Sequence, residues 1–310
     1  MPKLFSKIRS AAIDGRALNP IFRKVQLKHL HDALSANASK IQDAIAADTN
    51  HTPAEVQLEY FLGMRHLTQA YTSLDPSQAL HDEHSLARNQ NSPHHREAVG
   101  IVLIHDPSQH AFFSCLLSAL IPALAAGNCI IVQTPQSLLL TPRLVLDIIA
   151  GALDDDIFTT THAPVSDADV NHPHIRVVQS GSANDDGPRP AHHLVSEPEM
   201  ARVVAVVERD ADVDAAAQEV VRARFALRGR APYAVDLVLV NEWVRREFLE
   251  AVVRCVVRFA AEEGGRRTGV LDKGQGGGLL EMVRAERGVN VLSWSSAGAV
   301  VDVEDRLVFN

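Results

Sequence analysis

No stretch of this sequence is long and apolar enough to cross a bilayer. The longest apolar run, LLSALIPALAAG (Leu116–Gly127), is interrupted by Pro122 and stops well short of the ~20 residues that a spanning helix needs. The first residues, MPKLFSKIRSAAIDG, hold only Leu4 and Phe5 before charge returns, which excludes a signal-peptide apolar segment. Cysteine is scarce. Cys115, Cys129 and Cys255 are an odd number at unrelated spacings, which excludes a disulfide framework and fits a reducing, cytoplasmic compartment. Positive charge is not in excess: 30 Lys and Arg face 38 Asp and Glu, a net charge of −8, so neither nucleic acid nor an anionic membrane is indicated as a partner. The 15 histidines form no HExxH or His/Cys spacing, and His94-His95 and His192-His193 fall in polar, proline-bearing stretches. They read as solvated loop residues, and no metal is expected.

What is present is a globular chain, 46% hydrophobic and 22% charged over 310 residues. Val25, Leu27, Leu30, Leu34, Ile41, Ala44 and Ile45 recur at helical spacing, with a break near Asn37 and Ser39. A third helix opens at Thr52-Pro53 with Glu55 in its first turn, and residues 75–95 read as a polar loop. The period then changes. AVGIVLIH, CIIVQTP and IRVVQSGS read as strands, separated by the helical FFSCLLSALIPALAAG and TPRLVLDIIAGAL. Alternation of this kind predicts a parallel sheet covered on both faces, with ligands beyond the carboxyl ends of its strands. That edge carries His105–His110, Gln133–Gln136 and Gln179–Ser182. Residues 183–200 read as a linker or eroded loop. A second unit follows: strand RVVAVVE, a helix from DADVD, strand VDLVLV, and a long helix expected to be capped by Asn241. The reading is an α/β chain with domains at 1–200 and 201–310, its last glycine-rich segment unassigned.

These residues carry a resemblance. DGRALNPIFRKVQLKHLHDALSANASKIQDAIAADTNHTPAE resembles the N-terminal helices of the aldehyde dehydrogenase superfamily, in particular its class 3-like branch. REAVGIVLIHDP is similar to the family's REPxGVVxxIxP, LIPALAAGNCIIVQTPQ to its PALAAGNxVVxKPSE, and VVQSGS to its FTGS turn. VVERDADVDAAA and DLVLVNEWVRREFLEAV resemble IVxxDADLDxAA and DYVLVxExVxxEFLExL in the same order. The resemblance implies N-terminal helices and a Rossmann-like domain, then a catalytic-type domain. In active members a cysteine thiolate attacks an aldehyde, hydride passes to NAD(P)+, and a glutamate activates the hydrolytic water.

Against that pattern the sequence departs at each working position. GRAPYAVDLVLV aligns with GQxCxAPDYVLV, so Pro232 stands at the cysteine; a proline offers no nucleophile. Cys255 reads as core and Cys115 as packed, with a reactive role for Cys115 left open. The oxyanion asparagine falls on Gln109, or on His110 if an insertion lies earlier, and the general-base glutamate on Pro198, between Glu197 and Glu199. The ribose-contacting lysine is Gln133 and its acidic neighbour Gln136. Ser180, Gly181 and Ser182 remain as a vestigial turn, but Asp185 and Asp186 follow it and repel an anion. Relative to the resembled pattern the chain is truncated, ending before the EIFGP glutamate and the strand that completes the oligomer.

The expectations are therefore no NAD(P) cofactor and a family member without NAD-dependent aldehyde oxidation. One reading is cofactor-independent cyclisation, isomerisation or dehydration of a small carbonyl-containing metabolite in a biosynthetic pathway, with His105, Asp106, Gln109, His110, Tyr233 and Glu199 as candidate groups. Against it, His105-Asp106 can be a plain strand-end turn and Tyr233 a packing residue. The alternative is a non-catalytic relative whose truncated edge is covered by a second copy or a protein partner; residual NAD(P)-dependent oxidation is the third.

Overall fold

In a computed structural model the structure describes residues 5–88, 97–105, 107, 111–179, 193–195, 203–229, 233–262, 289–295, 298–303 and 306–309. The chain forms two compact units, Met1–Glu199 and Met200–Asn310.

The first unit starts with five helices: α1 (Ser6–Asp14), α2 (Pro20–Ala36), α3 (Ala38–Thr49), α4 (Pro53–Ser73) and α5 (Pro76–Ala87). The break between α2 and α3 falls at Asn37, whose Nδ2 donates to the Ala33 carbonyl. The Thr52–Glu55 capping box forms at the start of α4: Thr52 Oγ1 accepts from Glu55 N–H and a Glu55 carboxylate oxygen from Thr52 N–H. Helix α5 takes Pro76–Ala87 of the stretch expected as a loop over 75–95, and residues 89–95 lie outside the described residues. Asp75 Oδ1 accepts from Ser77 N–H at 2.8 Å and Pro76 opens the helix, a start signal hidden in a polar stretch.

Strand β1 (Ile101–His105), helix α6 (Phe112–Ala125), β2 (Cys129–Gln133), α7 (Leu140–Ala152), β3 (Phe158–Thr161), α8 (Asp167–Val170), β4 (His174–Val178) and β5 (His193–Val195) follow. The strands form one parallel sheet in the order β3-β2-β1-β4-β5. Ile101, Leu103, Ile104 and Ile130–Val132 are fully buried, as expected of strands covered on both faces. Two elements carry no clear sequence signal: FTTT, which forms β3, and β5, which lies inside the stretch read as a linker. In LAAGNCIIV, Gly127 takes φ 94 to turn out of α6. Asn128 then accepts from Gly100 N–H at 3.0 Å and donates to the Ala123 carbonyl, which joins the starts of β1 and β2 to the end of α6.

The helical layer packs on this sheet unit, with α4 against α6 and both α2 and α3 against α7. The approach of α4 is close: a Cβ on Gly63 would lie 2.6 Å from Phe113 Cε1 and 2.9 Å from Leu117 Cδ1. Tyr60 stacks on Phe113 with ring centroids 5.4 Å apart.

The second unit contains β6 (Val204–Val207), α9 (Val213–Phe225), β7 (Leu237–Val240), α10 (Arg245–Glu262), β8 (Val289–Ser295), β9 (Gly298–Val303) and β10 (Arg306–Phe309), with sheet order β6-β7-β10-β9-β8. β6 and β7 are parallel, and the remaining pairs are antiparallel. Val207, Val238 and Val240 pack against Val220, Val221, Phe248 and Val252. Asp212 caps α9, its Oδ1 accepting from Ala215 N–H at 3.0 Å. Asn241 instead caps a turn, accepting from Trp243 N–H, and α10 begins only at Arg245.

Candidate functional site

The three central strands of the first sheet end level with one another. His105, the last residue of β1, is the partner of Gln133 on β2 and of Val178 on β4. From β1 the chain runs outward through β2 and β3, then returns to β4 on the other side. The topological switch point is therefore at the carboxyl ends of β1 and β4, where ligands of open parallel sheets enter. Gln179, 2% exposed, fixes this corner. Its N–H donates to the His105 carbonyl at 3.4 Å and its Nε2 to the Cys115 carbonyl at 2.6 Å. Its Oε1 is buried and accepts no hydrogen bond.

Of the residues singled out from the sequence, His105 and Gln133 meet at this edge on neighbouring strands. Gln133 is buried, and its Oε1 accepts from Val165 N–H at 3.0 Å. The amide thus closes the segment after β3 and does not face outward as a ribose-binding group must. Tyr233 belongs to the second unit, half-buried in the turn before β7. Asp106, Gln109, His110, Ser180, Gly181, Ser182, Glu199 and Pro232 lie outside the described residues.

Helix N-termini at such an edge ordinarily offer free N–H groups to anions. Here a carboxylate from the helical layer occupies each of the two that follow β1 and β2 in the chain. Asp48, at the end of α3, accepts from Leu140 N–H and Thr141 N–H of α7 at 3.0 and 2.6 Å. Glu59, in the middle of α4 and 1% exposed, accepts from Phe113 N–H of α6 at 3.1 Å. Burial pushes the Glu59 carboxyl up to about 7, against the opposing pull of the Phe113 and Ser114 N–H groups. Neither carboxylate is singled out by the sequence reading. The signal for Glu59 is a charged residue among the inward positions Val56, Gly63 and Leu67.

The cysteines are placed for packing. Cys115 is 3% and Cys129 1% exposed. Burial, followed by the negative charges of Asp154 and Asp156, pushes the Cys129 thiol up to about 11, the opposite of what a thiolate nucleophile needs. Cys255 sits half-buried on α10 against the second core. Among the described residues no group of three His, Cys, Asp or Glu side chains is placed to hold a metal ion, and no helix is long and apolar enough to cross a membrane.

Gln133→Lys, which would restore the residue type of the resembled pattern, is expected to destabilise the first unit by about 1–3 kcal/mol. A lysine cannot accept from Val165 N–H, and that buried donor is left unmade. Denaturant unfolding of the two proteins side by side checks this.

Comparison with known proteins agrees with this architecture. The chain is 29% identical over 157 residues to aldehyde dehydrogenase family 3 member B1 of Bos taurus, covering 49% of this chain and 33% of that protein. It is 27% identical over 161 residues to the same protein of Mus musculus, with the same coverage. The chain thus matches about a third of the length of these relatives. Among solved structures, an NAD-dependent benzaldehyde dehydrogenase from Corynebacterium glutamicum superposes with a TM-score of 0.60 at 19% identity, over 82% of this chain and 57% of that one. An indole-3-acetaldehyde dehydrogenase in complex with NAD+ gives 0.60 at 19% identity, over 82% and 54%. Residues 4–268 match the model of the aldehyde dehydrogenase family, so that this chain belongs to the aldehyde dehydrogenase family.

Proposed function

We propose that this chain is an aldehyde dehydrogenase relative that has lost NAD-dependent aldehyde oxidation and uses the crevice at the β1 and β4 ends for cofactor-independent acid–base chemistry on a small carbonyl-containing metabolite. The observation that carries the loss is the state of the cysteines. Pro232 stands where the nucleophile belongs, and Cys115 and Cys129 are buried in the core. Without a thiolate there is no hemithioacetal from which hydride can leave. The described residues also fit NAD(P) poorly, since Gln133 is committed to Val165 N–H and the α6 and α7 N-termini already hold carboxylates that repel a phosphate.

Two groups at the switch point support the alternative chemistry. His105 is half-buried at the strand end, and an imidazole can move a proton to or from carbon. Gln179 Oε1, buried without a hydrogen bond, suits a ligand hydroxyl or N–H. In an isomerisation of an α-hydroxy carbonyl compound, the imidazole takes the α proton, and the C–H electron pair forms the C=C bond of an enediolate as the C=O pair moves onto oxygen. The imidazole, its proton exchanged with solvent, then protonates the former carbonyl carbon while the α-hydroxyl proton passes to the former carbonyl oxygen. The test is deuterium uptake at the α-carbon of a panel of ketones and aldehydes in D2O, followed by NMR. His105→Asn is expected to lower the exchange rate by roughly 10² or more. Exchange no faster with the wild-type chain than in buffer would contradict the catalytic reading.

A second reading, a non-catalytic protein that docks a partner, is favoured by one feature. Val204 and Val206 on β6 and Leu239 on β7 lie on one face of the second sheet, in register, at 46%, 62% and 37% exposure. Light scattering on the isolated chain, compared with a Val206→Lys variant, tests whether that face joins two copies. An unchanged monomer in both would leave it to a different protein.

A further inference from the structure

Helix α6 has an unusual start. Its N-cap, Ala111, is in the left-handed region at φ 54 and contributes no side-chain cap. The first N–H groups are held instead from 54 positions away, by Glu59 Oε1 on α4. The other carboxylate oxygen, Oε2, accepts no hydrogen bond and faces His51 Nδ1 at 4.0 Å, with both side chains buried. An ordinary exposed N-cap fixes a helix start at any pH. A buried carboxylate that faces an imidazole does so according to the protons the two groups hold.

We propose that Glu59 and His51 form a proton-linked latch on the first turn of α6, gripping the Phe113 and Ser114 N–H groups when Glu59 is ionised and slackening when it takes up a proton. The physical basis is the difference between a charge-assisted and a neutral hydrogen bond, the first being shorter and roughly twice as strong. Burial places the exchange near neutrality, with Glu59 raised to about 7. His51 is positioned to stabilise the ionised form. Among the described residues other titratable neighbours are few. Glu55, one turn earlier on α4, is engaged in the capping box. Tyr60 reaches the Leu34 carbonyl, and Cys115 follows two residues after Phe113 on α6. Helix α6 itself contains no charged residue, and the buried faces of α2 (Gln26, Leu27, Leu30, Leu34) and α3 (Ile41, Ala44, Ile45) are uncharged. Among the described residues the pair is therefore the main electrostatic control on this helix start.

The test uses the full chain labelled with 13C-glutamate and 15N-phenylalanine, titrated from pH 5 to 9 by NMR. Phe113 is identified among the 10 phenylalanines by a Phe113→Leu control. The expected result is a Phe113 amide proton that moves downfield as pH rises, with a midpoint shared by one glutamate carboxyl carbon near 7. Glu59→Gln should abolish both steps, and His51→Asn should move the midpoint upward. If Glu59→Gln fails to fold, the wild-type and His51→Asn titrations decide. A Phe113 amide that does not respond between pH 5 and 9, or a step that survives Glu59→Gln, would overturn the latch.

Discussion

Phe113→Ala is expected to cost the first unit about 3–5 kcal/mol of unfolding free energy, the range for truncating a fully buried aromatic side chain. Phe113 is 0% exposed, stacked on Tyr60 with rings 10° from parallel, and within 2.6 Å of where a Gly63 Cβ would be. The last contact decides the size of the effect. Helix α4 comes this close to α6 only because Gly63 has no side chain, and its backbone cannot move further in to fill the space that the ring leaves. The stacking with Tyr60 is lost as well, worth about 0.5–1.5 kcal/mol beyond area burial. Phe113→Leu should recover a large part of the loss by refilling the volume. Urea unfolding curves of the two variants measure this. A loss under about 1 kcal/mol for Phe113→Ala would mean that α4 does not pack on α6 as described.

The second large effect is a dependence of stability on pH that arises from Glu59. Its carboxyl is raised from 4.5 to about 7, with burial as the largest cause. The folded chain therefore holds this proton in a range where the unfolded chain has released it. Between those two values the native state binds more protons than the unfolded state, so stability falls as pH rises. The contribution is fully present below about 4.5 and is lost once pH has passed about 7. Its size is on the order of 3 kcal/mol, from ~1.4 kcal/mol for each tenfold change in proton affinity. Glu59→Gln keeps an acceptor for Phe113 N–H but cannot ionise, so the difference between variant and wild type should move in the variant's favour by that order between pH 5 and 8. Thermal unfolding across this range reads the effect. A constant difference would mean that Glu59 keeps an ordinary carboxylate affinity for its proton.

Much of the first unit is legible in the sequence because its signals are local. The break at Asn37, the Thr52-Pro53 start, the apolar β-branched β1 and β2, and the proline in the first turn of α7 each rest on a few adjacent residues. The misses have physical reasons too. FTTT is short, and Phe158 alone of its residues is buried, so β3 shows neither alternation nor an apolar run. HLV of β5 is held by pairing with β4, a non-local cause that the surrounding Pro/Asp/His composition conceals. The three closing strands lie in a stretch left unassigned by its sequence; β10 is placed by antiparallel pairing with β7, about 70 positions earlier, and β9 and β8 add to it in turn.

At the site, sequence order is enough to bring His105 and Gln133 to one edge, since both end interior parallel strands. What the side chains do there is not legible. The bond from Gln133 to Val165 N–H crosses 32 positions, and that from Glu59 to Phe113 N–H crosses 54. Polar residues at core positions mark such contacts, and Glu59 among Val56, Gly63 and Leu67 is the strongest mark of that kind. The family resemblance supplies the expected positions of a cysteine, a lysine and a glutamate. It cannot say that a carboxylate of the helical layer sits on the start of α6.

The central claim is the loss of NAD-dependent aldehyde oxidation, and calorimetric titration of the purified chain with NAD+ and NADP+, beside an active family member, tests it most directly. No saturable heat is expected for this chain up to millimolar cofactor, while the active member binds. Saturable binding at micromolar affinity would contradict the claim. That result would mean that residues outside the described ones rebuild a ribose and phosphate site, and the search for a substitute nucleophile would begin at Cys115.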